Sequence, residues 1–179
     1  MNPEVIMVNR APVLTLWAAV VAERLGFDRD EALSLGKALA GLNAQSKGRS
    51  LGIFKPVEHR KELAEKKARP GEEFWIELLG RPIPARITDH GLRAVIKGRP
   101  IEPDGVSRYL QEKFGPRLES VKEAMLALAR AFKAEELASK AYSLYEQFRP
   151  EIPPGLKGWG AKGELKLDLI RRLSRQSQS

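Results

Sequence analysis

Apolar residues near the start of the chain recur at helical spacing. Val13, Leu16, Trp17, Val20, Val21 and Leu25 fall on successive turns and predict a first helix. Pro12 suits its first turn, where an amide has no intrahelical partner to lose. Gly26 ends it. Asp28-Arg29-Asp30-Glu31 then has the form of an N-cap with an acid three residues on, both carboxylates suiting the positive end of a new helix. Ala32, Leu35, Ala38, Leu39 and Leu42 carry that second helix to about Asn43.

From Phe74 the period shortens to two. Residues 74–79, 83–87 and 92–96 read as short strands, punctuated by Gly80-Arg81-Pro82, Asp89-His90-Gly91 and Gly98-Arg99-Pro100. A small antiparallel meander follows from that spacing. Gly80-Arg81-Pro82-Ile83 returns eighteen positions later as Gly98-Arg99-Pro100-Ile101, which reads as repeated turn chemistry and not as a duplicated domain.

Helical spacing then resumes. Asp104 can cap a helix carrying Val106, Tyr109, Leu110 and Phe114, and Gly115-Pro116 stops it. Leu118, Val121, Met125, Leu128 and Phe132 mark the next helix. Leu137, Ala138, Ala141, Leu144 and Phe148 mark another, and the short connection between the two predicts an antiparallel hairpin. Residues 149–163 are rich in proline and glycine, and a terminal amphipathic helix is expected at about 164–173. Residues 48–73 read as a loop holding a short charged helix near 57–67. The expected fold is α+β: an N-terminal helical hairpin, a small central antiparallel β-meander and C-terminal helices. One domain over 1–179 accommodates them, subdivided as 1–46, 47–73, 74–103 and 104–179.

Composition narrows the class. With 42% hydrophobic residues over 179, the chain can bury a real core. It has no cysteine, so neither a disulfide framework nor a thiolate metal site is possible. The longest apolar run, 13–22, is too short to span a bilayer. Glu4 upstream of that run and the lack of a cleavage site argue against a signal peptide, so the expected location is cytoplasmic and away from the membrane.

The formal net charge of +8 favours polyanionic partners, and its distribution matters more than its size. Residues 1–46 carry four basic and five acidic groups, and 70–154 carry thirteen of each. The surplus lies in 47–69, with eight basic against three acidic, and in 155–179, with six against two. A binding surface has that distribution; so does a solvated linker with a tail.

Residues 18–37, AAVVAERLGFDRDEALSLGK, resemble the helix-turn-helix of repressor-type DNA-binding proteins. Ala22 supplies the small residue at the crossing and Gly26 the turn, with apolar groups at Val21, Leu25, Phe27, Ala32 and Leu35. The resemblance implies that the second helix, from Arg29, enters the major groove and reads base edges. On its would-be reading face Arg29, Ser34 and Lys37 are the groove-contact candidates; Asp28 and Asp30 oppose phosphate, and Leu33 cannot hydrogen-bond a base. A helical hairpin joined by Gly26-Phe27-Asp28 gives the same pattern without touching DNA.

Affinity would then come from beyond the motif. Lys47, Arg49, Lys55, Arg60, Lys61, Lys66, Lys67 and Arg69 can hold phosphates by counterion release, although Glu58, Glu62 and Glu65 interleave as on a solvated helix face. Lys157, Trp159 and Lys162 sit among glycines, where bare backbone can approach phosphate and an exposed ring can stack on a base. Trp159 serves equally as an anchor on the core.

The expected role is therefore nucleic-acid binding, DNA ahead of RNA, as a regulator or nucleoid-associated factor, and no motif calls for a cofactor. The alternative is an enzyme acting on nucleic acid or phosphorylated metabolites through His90 and the neighbouring Asp89, Glu102 and Asp104, although no nucleophile or metal motif accompanies them. In that case His90 and Asp89 should line a concave pocket. A third class is a protein-interaction module, in which the 118–148 hairpin forms a homodimer surface.

Overall fold

In the computed structural model the described residues are 5–45, 73–151 and 161–177. In chain order they form β1 (Val5–Asn9), α1 (Arg10–Arg24), α2 (Arg29–Gln45), β2 (Phe74–Leu78), β3 (Arg81–Thr88), β4 (Gly91–Ile96), β5 (Arg99–Pro100), α3 (Pro103–Phe114), α4 (Leu118–Arg130), α5 (Ala134–Phe148), β6 (Lys162–Lys166) and α6 (Leu167–Ser177). The architecture is α+β, as the periodicity predicts.

The organising element is α1. Every residue from Pro12 to Ala22 is buried, because the helix is apolar on all sides and its neighbours α2, α3, α4 and α5 surround it. Trp17 is wholly enclosed. Its indole N–H donates to the Ala141 carbonyl of α5 at 2.9 Å, and its ring meets Phe148 edge-on at 5.3 Å between centroids. Burial at Gly36 lets α2 approach closely: a Cβ there would lie 2.5 Å from the Thr15 carbonyl oxygen of α1. Any side chain would wedge the two helices apart.

The meander forms a four-stranded antiparallel sheet in the order β2-β3-β4-β5. Its repeated tetrapeptide has a local cause. Leu78 pairs with Arg81 and Ile96 with Arg99, leaving two-residue loops at Leu79-Gly80 and Lys97-Gly98. All four loop residues have positive φ (52° and 76°, then 52° and 79°), the backbone of a type I′ turn, in which glycine relieves the second position. Ile76, Leu78, Ile83, Ala85, Leu92 and Ala94 alternate along the strands on the face buried into the main core.

Three expectations need correction. The terminal helix begins at Leu167, and the residues before it form β6, which pairs antiparallel with β1 from Val5↔Lys166 to Asn9↔Lys162. The helices α4 and α5 do not lie along one another as a hairpin. Each packs on α1, whose residues from Pro12 to Ala22 are buried all round, and α4 also packs on α6. The residue at the α3 N-cap is Glu102; Pro103 opens the helix and Asp104 lies in its first turn. The charged helix expected near 57–67 lies outside the described residues.

Candidate nucleic-acid interface

The N-terminus of α2 closes with the reciprocal cap read from its sequence. The Glu31 amide donates to Asp28 Oδ1 at 2.9 Å, and the Asp28 amide donates to Glu31 Oε1 at 3.0 Å. Glu31 is 2% exposed, and its second oxygen, Oε2, accepts from the Leu92 amide of β4 at 3.1 Å. One turn later Ser34, fully buried, donates its hydroxyl to the Glu31 carbonyl at 2.8 Å and accepts from the Ala94 amide at 3.0 Å. Because β5 pairs only with the Val95–Ile96 end of β4, the amides of Leu92 and Ala94 face α2, and Glu31 and Ser34 satisfy them.

This corrects Ser34 as a groove contact. Its hydroxyl is fully engaged inside the protein and cannot reach a base edge. Of the other two candidates, Arg29 is exposed; its guanidinium lies 3.9 Å from the adjacent Asp30 and donates to Ser107 Oγ of α3 at 3.3 Å. Lys37 is half-buried, with Nζ 3.7 Å from the centroid of the Tyr109 ring. Arg29 and Lys37 thus turn toward α3 and Ser34 toward β4, so the three do not share one surface. The rest of α2 from Ala32 to Ala40 is buried apart from Lys37, leaving Asp28, Arg29 and Asp30 as its exposed tip. Gly26 does make the turn, with φ of 108°.

Of the remaining candidates, Lys47, Arg49, Lys55, Arg60, Lys61, Lys66, Lys67, Arg69, Lys157 and Trp159 lie outside the described residues. Lys162 opens β6 and is exposed. On the ribbon of β1 and β6, Ile6, Val8, Gly163 and Leu165 face the core, while Lys162, Glu164 and Lys166 face solvent opposite Asn9, Met7 and Val5. Met7, 55% exposed, is the large hydrophobic side chain most open to water among the described residues. Lys162 and Lys166 form no ion pair among the described residues. Immediately after the ribbon, α6 buries Leu167, Ile170 and Leu173 and exposes Arg172 and Arg175. The sequence pattern alone does not mark Lys166, Arg172 and Arg175. The polar-apolar alternation of 162–166 was the available signal, hidden by its closeness to the helical pattern that follows.

The residues of the enzyme alternative occupy a different kind of place. Asp89 and His90 are exposed at the tip of the β3–β4 hairpin, which Thr88 closes by donating to the Gly91 carbonyl and accepting from the His90 amide. Among the described residues they line no cleft. A cleft of about 80 Å³ does open among α1, α2, α3 and α4, floored by Leu16, Val20, Leu33 and Leu110. Its rim balances Arg29 and Lys122 against Glu23 and Glu119, so it has no charge preference for an anionic ligand. Among the described residues no helix is long and apolar enough to cross a membrane. Comparison of the chain with protein-family models, with curated proteins and with solved structures finds no match.

Proposed function

We propose that this protein binds nucleic acid, duplex DNA first, by its backbone phosphates, and that the outward face of the β1–β6 ribbon is the principal contact among the described residues. The observation that carries this reading is the pair Lys162 and Lys166, exposed on one face and free of ion pairs there. Four steps along the strand separate them by about 13 Å, close to the width of a B-DNA major groove, about 12 Å, which admits a two-stranded ribbon. Glu164 lies between them and would repel phosphate, so the lysines contact the backbone on either side of it. Arg172 and Arg175, three apart on α6, add two cations on one helical face.

The basic segment 47–69 supplies further phosphate contacts in this reading, with eight cations against three acids. The helix α2 contributes its exposed tip at most, since its buried sides hold the core together. An enzyme built on His90 has no comparable observation in its favour.

Mobility shift of a duplex across a salt series tests the proposal. Binding should weaken steeply as salt rises, because each phosphate contact releases counterions. Failure to shift the duplex even at low salt would overturn the reading. Competition with an RNA hairpin ranks the two polymers: the ribbon should prefer DNA, since the deep, narrow major groove of A-form RNA excludes it.

A further inference from the structure

The helices α2 and α3 pack side by side, and their seam gathers three groups that the ribbon does not use. Lys37 reaches across from α2 to place Nζ 3.7 Å from the centroid of the Tyr109 ring, and Lys113 Nζ lies 5.9 Å from the same centroid. Tyr109 and Lys113 are four residues apart on α3 and so are neighbours on one face. Two ammonium groups therefore share one aromatic ring. The ring attracts either cation, but the cations repel each other.

Neither lysine forms an ion pair with a carboxylate among the described residues, although Glu112 is adjacent to Lys113 in sequence and exposed. The Tyr109 hydroxyl likewise donates to no described group. A half-buried ammonium and an exposed one beside a single ring, without a counter-charge among the described residues, are one half of an electrostatic site. We infer that Lys37, Tyr109 and Lys113 form a binding site for a phosphoryl group.

The donor set selects the ligand. Each ammonium offers three N–H donors and the phenol one O–H, approaching from two helices. A phosphate monoester brings nearly two negative charges and three acceptor oxygens, matching two cations and a third donor. A carboxylate brings one charge and two coplanar oxygens, and leaves one lysine unneutralised. Burial, and after it the charge of Lys113, lowers the pKa of Lys37. Burial also raises the pKa of Tyr109 and keeps its hydroxyl a donor.

The phosphoryl group can belong to a small phosphate ester or to a nucleic-acid backbone. The site is independent of the ribbon, which lies on other elements. Its test is the side-chain NMR of lysines in the full chain, titrated with inorganic phosphate against chloride at equal ionic strength. The Lys37 and Lys113 signals should shift together and saturate, while those of exposed Lys97 and Lys133, which belong to neither proposal, stay in place. Lys113→Gln, at an exposed position, should weaken phosphate binding roughly tenfold, the loss of one charge-assisted partner. Tyr109→Phe keeps the ring and should weaken it by less.

Adding duplex DNA identifies the source. Displacement of phosphate from the two lysines assigns the site to a nucleic-acid backbone, and retention assigns it to a small ester; both support a phosphoryl site. Shifts at Lys97 and Lys133 equal to those at Lys37 and Lys113, or a titration unchanged by Lys113→Gln, would overturn it. Neither result depends on Lys162 and Lys166, so the two proposals fail separately.

Discussion

In the α1–α2 hairpin the polar side chains of one helix turn inward. Glu31 and Ser34 hold the amides of Leu92 and Ala94, and the apolar residues around them leave little of α2 in solvent. In the β1–β6 ribbon the same kinds of side chain turn outward, and the apolar ones, Ile6, Val8 and Leu165, anchor a single face. Both regions contain cations. What separates them is the second face. A helix that reads a groove must be apolar on one side only, whereas α2 has neighbours on several sides. A short strand has just two faces, so burying one commits the other to solvent.

If the hairpin is core and the ribbon is surface, substitutions should divide into two groups: large stability losses with unchanged binding, and changed binding with unchanged stability. The largest effect is expected at Trp17. Trp17→Ala removes a fully enclosed ring, its edge contact with Phe148 and the donor to the Ala141 carbonyl. It should cost about 4 kcal/mol in chemical denaturation. A loss below about 1 kcal/mol, the size typical of an ordinary substitution, would mean that α1 is not the axis of the fold.

Ser34→Ala follows, and it probes the comparison most sharply because both readings claim this residue. The substitution leaves the buried Ala94 amide without its acceptor, which costs about 1–3 kcal/mol. Duplex affinity and sequence preference should not change under conditions where the variant is folded. The opposite pattern, full stability with altered base preference, would return Ser34 to a groove and reopen α2 as a reading helix.

Ser34 also illustrates how much the sequence could tell. A serine within a helix is compatible with an outward hydroxyl or one bonded back to the preceding turn, and periodicity does not choose between them. The cap at Asp28 and Glu31 was legible because both partners lie three residues apart. The hold of Glu31 on Leu92 was not, because the partner lies 61 residues away. The sheet was readable for the same reason as the cap, since its hairpins are local and their glycine turns mark each reversal. The ribbon was hidden because β1 and β6 stand at opposite ends of the described chain, and each is only five residues long. For the same reason Lys162 was recognised as a candidate while its partner Lys166 was not. Periodicity puts Lys37 on the outer face of α2, whereas its neighbours Tyr109 and Lys113 lie more than seventy residues on and meet it only through helix packing.

The smallest stability effect, and the clearest functional one, is expected from Lys162→Gln combined with Lys166→Gln. Both side chains project from a strand whose other face carries the packing, so stability should stay within about 0.5 kcal/mol of the parent. Binding should respond through its salt dependence as well as its strength. Each lysine that neutralises a phosphate contributes about 0.9 to the slope of log affinity against log salt, so the double variant should flatten the slope by nearly two. Comparing the slope with the affinity identifies the role. A uniform loss over all duplex sequences with a flatter slope means backbone contact. A loss confined to some sequences means that the ribbon reads bases, with Glu164 or Asn9, which face the same side, as the next residues to vary. An unchanged slope removes the ribbon from the interface and leaves 47–69 to carry any binding that remains.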